Sequence, residues 1–138
     1  MPARDIAELD DFINQWTDSP NKIKQAFLQL LDHMEQKDRV QFEFIPREGL
    51  TYSLRLRHPN QTSHPLFAMI DVIEDDPRWL SVCFFGELIT DPEDKGDMVP
   101  EGLLGEDAHC FDVEAFDEAD MAYVTARLDE AYASASGA

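Results

Sequence analysis

Basic residues are the first shortage in this chain. Lysine and arginine together number 11 against 29 aspartates and glutamates, for a formal net charge of −18. The shortage is uneven, because residues 74–138 hold eighteen carboxylates against only Arg78, Lys95 and Arg127. That half disfavours a nucleic-acid backbone as partner and favours a cationic protein surface or a metal ion. Long apolar runs are missing too: nothing approaches the ~20 residues of a membrane helix. The opening MPARDIAELDDF has neither the apolar core nor the basic flank of an export signal. With that and only two cysteines, a reduced, cytoplasmic protein away from membranes is expected. Gly-rich phosphate loops, GxSxG and HExxH are absent, so nothing argues positively for an enzyme and no cofactor is expected.

What the chain does have is filling for one hydrophobic core. Its 138 residues include nine Phe, three Tyr and two Trp, enough for a single domain over 1–138 and short for two. Ile6, Leu9, Phe12, Ile13 and Trp16 recur at helical spacing and predict a helix over 4–17. Ser19-Pro20 reads as an N-cap followed by proline at the first helical position. Ile23, Ala26, Phe27, Leu30, Leu31 and Met34 then carry a second helix to about Lys37.

The period then changes to two. Val40, Phe42 and Phe44 alternate with polar residues, as do Tyr52, Leu54 and Leu56, with Pro46-Arg47-Glu48-Gly49 between them, so 39–58 predicts a hairpin. The runs 66–73 and 79–85, joined by Asp75-Asp76-Pro77-Arg78, extend it to an antiparallel meander. Their stronger apolar character places them centrally or under helices. Residues 91–107 read as a long connection, which Met98, Val99, Leu103 and Leu104 predict to pack back on the domain. A short strand at 108–113 follows. A final helix is expected from an N-cap at Asp117, with Met121, Val124, Leu128, Ala131 and Ala135 on one face and a frayed tail over 134–138. The expected fold class is α+β: two N-terminal helices, an antiparallel sheet of four to five strands, and a C-terminal helix packed on the sheet.

Three groups of residues invite chemistry. Asp91, Glu93, Gly96 and Asp97 occupy positions one, three, six and seven of a calcium-loop pattern, but Lys95 and Gly102 fill positions five and twelve, where oxygen ligands are required. Asp91, Glu93 and Asp97 therefore stand only as candidate ligands for adventitious divalent binding. His109, beside them, is a candidate for a small-ligand pocket. Arg47, Arg55 and Arg57 gather the basic charge of the hairpin and could form a ligand, partner or nucleic-acid surface, although carboxylates on neighbouring elements are their more common partners. Cys83 lies in the most apolar strand, where cysteine behaves as a small hydrophobe. Cys110 and His109 are strand neighbours that point to opposite faces.

The last stretch, HCFDVEAFDEADMAYVTARLDEAY, resembles the end of the YjbR (MmcQ) group of small bacterial proteins. In that group a strand with an aromatic residue precedes an acidic helix; Phe111, Asp117 to Glu130 and Tyr132 occupy those places here. The chain has no counterpart to the group's lysine-rich middle, so the resemblance implies fold more than function. The leading functional expectation is a non-enzymatic interaction or accessory domain, meeting a basic protein or a second copy of itself. Ligand or divalent-metal binding by the acidic loop, and nucleic-acid binding by the hairpin, are the alternatives.

Overall fold

The computed structural model describes residues 3–137; Met1, Pro2 and Ala138, which the export-signal and frayed-tail expectations touch, lie outside the described residues. The fold class is α+β. Helices α1 (Ala7–Gln15) and α2 (Ile23–Glu35) precede six antiparallel strands, and α3 (Glu118–Ser136) closes the chain. The strands are β1 (Gln41–Arg47), β2 (Thr51–Arg57), β3 (Ala68–Ile73), β4 (Trp79–Phe85), β5 (Asp97–Leu103) and β6 (Glu106–Val113). They lie side by side in the order β1-β2-β3-β4-β6-β5. The two most apolar strands are thus central, as their composition requires.

Alternation decides the faces. Phe44, Leu54, Ile70, Val82 and Phe111 follow one another across the sheet and join the main core with Leu9, Ile13, Phe27, Leu30, Val124 and Leu128 from the helices. The opposite face carries Arg55, Met69, Cys83 and Cys110 in one row and Ser53, Asp71, Ser81 and Asp112 in the next. A smaller apolar cluster of Leu66, Met69, Phe85, Leu103 and Ala108 lies on that face around the two cysteines.

Local chemistry moves some predicted boundaries. Helix α2 starts at Ile23 rather than at Pro20, because Lys22 stands in a left-handed conformation (φ 59°). The cap comes from upstream, where Asp18 Oδ1 accepts the N–H of Lys24 at 3.1 Å. Helix α3 is capped as expected, with Asp117 Oδ2 accepting the N–H of Asp120 at 2.9 Å, and it runs through most of the supposed tail to a left-handed Gly137.

The main correction concerns 91–107. Its second half is a strand, β5, hairpinned to β6, and this brings the sheet to six strands rather than four or five. Of its four apolar residues only Leu103 is buried; Met98, Val99 and Leu104 are exposed. The pairing is broken between Val99 and Leu103, around Pro100 and Gly102. Proline and irregular pairing in an edge strand blunt its tendency to recruit other strands.

The cysteines also differ from expectation. Cys83 and Cys110 face each other across β4 and β6, with Cα atoms 4.1 Å apart, and form a disulfide. Sequence spacing could not reveal this, because the pairing follows from sheet register across 27 residues.

Asp71 sits in the middle of the helix-free face. Burial holds its carboxyl above its ordinary value, outweighing a Ser53 hydrogen bond and the charges of Arg47 and Arg55; its Oδ1 is buried without a partner. The native state holds this proton more tightly than the unfolded chain does, so the fold weakens as pH rises from the unfolded value through the raised one. Asp71→Asn removes the charge that burial disfavours and is expected to gain about 1 kcal/mol at pH 7. The gain should fade in acid, where the wild-type carboxyl is itself protonated; denaturant titrations at both pH values check this.

Candidate functional site

The segment between β4 and β5 is organised by one carboxylate. Asp91 follows the 3-10 turn Gly86–Leu88 and folds back over its own loop, accepting the backbone N–H groups of Lys95 (3.0 Å, Oδ1) and Gly96 (2.9 Å, Oδ2). From the sheet, His109 Nε2 reaches Asp91 Oδ2 at 2.8 Å. From α3, the Tyr123 hydroxyl donates to Asp91 Oδ1 and accepts the N–H of Glu93 at 3.1 Å. Desolvation would raise the Asp91 pKa, but the bonds from Tyr123, Gly96, Lys95 and His109 outweigh it and hold the carboxyl well below the usual carboxylate range. Loop, sheet and helix meet at this side chain.

The surroundings are cationic and aromatic. The Arg127 guanidinium lies 4.4 Å from the Tyr123 ring centroid and Lys95 Nζ lies 5.1 Å from it. Arg127 is buried; its Nε is 2.6 Å from Glu130 Oε1 but poorly aligned, and neither Nε nor Nη1 makes a hydrogen bond. Glu130 in turn accepts the Thr90 hydroxyl at 2.6 Å. Tyr123 and Arg127 are one helical turn apart beside the apolar stripe of α3, which masks their spacing in the sequence.

Gly96 is required by proximity. A Cβ there would lie 2.5 Å from His109 Nε2 and 2.9 Å from Phe111 Cε1, inside van der Waals contact. Gly96→Ala is expected to cost about 1–3 kcal/mol, the usual scale of overpacking, and to separate His109 from Asp91. A thermal melt reads the first effect, and the His109 imidazole NMR resonances read the second.

The candidates from the sequence separate as follows. Asp91 and His109 come together. Glu93 instead faces Lys95, 3.9 Å away, and Asp97 lies opposite Cys110 on the helix-free face, where it helps push up the Asp112 carboxyl after burial has done so. Among the described residues no three His, Cys, Asp or Glu side chains converge on a point that could hold a metal ion. The Asp91–His109 pair resembles the acid–base part of a catalytic triad. Among the described residues, however, His109 makes no second hydrogen bond to a hydroxyl or thiol that it could activate. The adjoining cleft, between Lys95, Phe111, Asp120 and Tyr123, measures about 260 Å³, below the range of ordinary small-molecule sites. This geometry fixes a loop.

Arg47, Arg55 and Arg57 lie near the opposite edge of the sheet from His109, with β3, β4 and β6 separating β2 from the β5 edge. Glu43 takes Arg57 at 2.5 Å and approaches Arg55 at 3.9 Å, and Arg57 also donates to the Pro65 carbonyl. Two of the three are thus engaged within the chain. The acidic hairpin and the arginine hairpin do not meet within one molecule.

The tip of the β5–β6 hairpin departs most from local preference. Leu103 pairs with Glu106, leaving Leu104 and Gly105 as a two-residue turn, both at positive φ (52° and 84°). Such turns favour Asn-Gly or Asp-Gly, since a left-handed backbone crowds the Cβ of other residues. Leucine is a costly choice here, and its side chain is 45% exposed. Met98 is 62% exposed on the same hairpin, which also carries exposed carboxylates at Asp97, Glu101, Glu106 and Asp107.

No protein-family model, curated protein or solved structure matches the chain. No helix among the described residues is long and apolar enough to cross a membrane.

Proposed function

We propose that this protein is a non-enzymatic interaction domain whose β5–β6 hairpin docks a basic, amphipathic segment of another protein. The observation that carries this reading is Leu104, an apolar side chain held in solvent at a left-handed turn position where asparagine or glycine would fit better. Backbone strain kept at an exposed site is a signature of function when no packing repays it. Met98 and Val99 are further exposed apolar side chains of the same hairpin, on opposite faces of β5, and the carboxylates of the hairpin complement a cation-rich partner and steer its approach. The engaged arginines of β2 leave little free positive surface for a nucleic acid, which favours the protein-partner reading over the nucleic-acid one.

A photo-crosslinking residue at position 104 tests the proposal. Adducts to a segment rich in Lys or Arg and alternating with apolar residues support it. Adducts no different from those of a control at exposed Gln25 on α2 count against it. A cytosolic setting belongs to the same proposal, and kinship with the YjbR group rests on the 109–132 stretch alone. Disulfides persist in oxidising compartments, so trapping thiols with an alkylating agent at cell lysis is informative. Free Cys83 and Cys110 agree with a cytosolic role, and a preserved bridge contradicts it.

A further inference from the structure

A second feature lies at the other edge of the sheet, where α1 crosses β1 and β2. The Arg78 guanidinium, on the turn before β4, sits 5.1 Å from the Phe12 ring, 5.2 Å from Trp16 and 5.2 Å from Tyr52. Its charge is met by Glu74, with Nη2 donating at 2.7 Å and Nε at 3.2 Å, and Tyr52 donates to the same carboxylate at 3.2 Å. The chain therefore already seats one guanidinium, neutralised, against an aromatic wall.

Beside this pair opens a cavity of about 360 Å³ walled by Phe12, Trp16, Phe44, Tyr52 and Arg78. Its mouth carries Glu8, Asp11 and Glu48, whose carboxylates make no hydrogen bond or ion pair among the described residues. Aromatic walls attract a cation through the ring quadrupole, and unneutralised carboxylates at the rim add charge complementarity. An anion would meet three like charges and only an arginine already bound to Glu74. A neutral apolar group would leave the carboxylates unused.

We infer that this cavity is a binding pocket for a cationic side chain, specifically an arginine presented by a partner's peptide segment. Its aliphatic stem would lie along Pro46, and its planar guanidinium would reach the half-buried Phe12 ring, beside the buried Trp16, Phe44 and Tyr52, and pair with the rim acids, as arginine does better than lysine. The pocket is separate from the β5–β6 hairpin and does not depend on it.

The test uses the whole protein and three blocked tripeptides, Gly-Arg-Gly, Gly-Lys-Gly and Gly-citrulline-Gly, followed through the Trp16 indole N–H resonance. Saturable shifts with the arginine peptide, at a Kd of about 1 mM for a single charged anchor, and at least a tenfold weaker response with citrulline are expected. Glu8→Gln/Asp11→Asn/Glu48→Gln, which alters only exposed side chains and leaves the core intact, should weaken the arginine peptide at least tenfold. Lysine binding as tightly as arginine would overturn the guanidinium assignment. Equal response to citrulline, no saturable response, or undiminished binding by the triple variant would overturn the pocket. Leu104→Asn should leave all these values unchanged, so failure here and failure of the hairpin proposal are read separately.

Discussion

Asp91→Ala is expected to lower the stability of the fold by about 3–4 kcal/mol. The carboxylate is the shared acceptor for the Tyr123 hydroxyl, the His109 imidazole and two backbone N–H groups. Bonds to a charged acceptor contribute about 1.5–3 kcal/mol each when buried, but the loop N–H groups regain water once released, so the sum falls short of four full bonds. For a chain of this size the melting temperature should drop by roughly 10 °C. The pH dependence separates this from a mere cavity. Asp91 is held below its ordinary pKa in the fold, so its contribution is complete at neutral pH and is lost as pH falls below about 4, the unfolded value. Wild type and variant should therefore converge in acid. A difference that persists unchanged at low pH would show that the hydrogen bonds to the ionised carboxylate are not what holds the loop.

Leu104→Asn should act in opposite directions on fold and binding. Asparagine tolerates the left-handed conformation that leucine adopts at φ 52°, and little apolar burial is forfeited. Stability should rise by about 0.5–1 kcal/mol, or roughly 2–3 °C in melting temperature. Partner affinity should fall about 10- to 100-fold, the equivalent of burying one leucine side chain at an interface. A residue that costs stability yet is replaced only at the expense of binding marks a functional position. A stabilised variant with undiminished affinity would mean that the turn is merely imperfect.

The parts of the fold legible in the sequence were those set by periodicity. The apolar stripes of α2 and α3 and the strict alternation of β2 are one-dimensional records of a single buried face, and their consequences follow directly. Residues 97–103 were not legible, because Pro100 and Gly102 interrupt the alternation that would mark an edge strand. The candidate site was half legible. Asp91 and His109 stood out as residue types, but their meeting depends on β6 lying between β4 and β5, a crossover that no local pattern records. The Cys83–Cys110 pairing and the Arg78 aromatic seat are hidden for the same reason: sheet register brings the first together, and the approach of α1 to β2 the second. Leu104 was visible as an apolar residue in an acidic segment. Only its backbone conformation showed it to be costly.

The most direct measurement is an NMR titration with a lysine-and-leucine amphipathic helical peptide at about 0.15 M salt, where diffuse attraction to a highly acidic protein is largely screened. Wild type and Leu104→Asn are compared. The account predicts saturable shifts centred on Leu104 at the hairpin tip, with affinity at least tenfold weaker in the variant. Equal affinity in both proteins, with shifts spread over the carboxylates of α1 and α3, would contradict it.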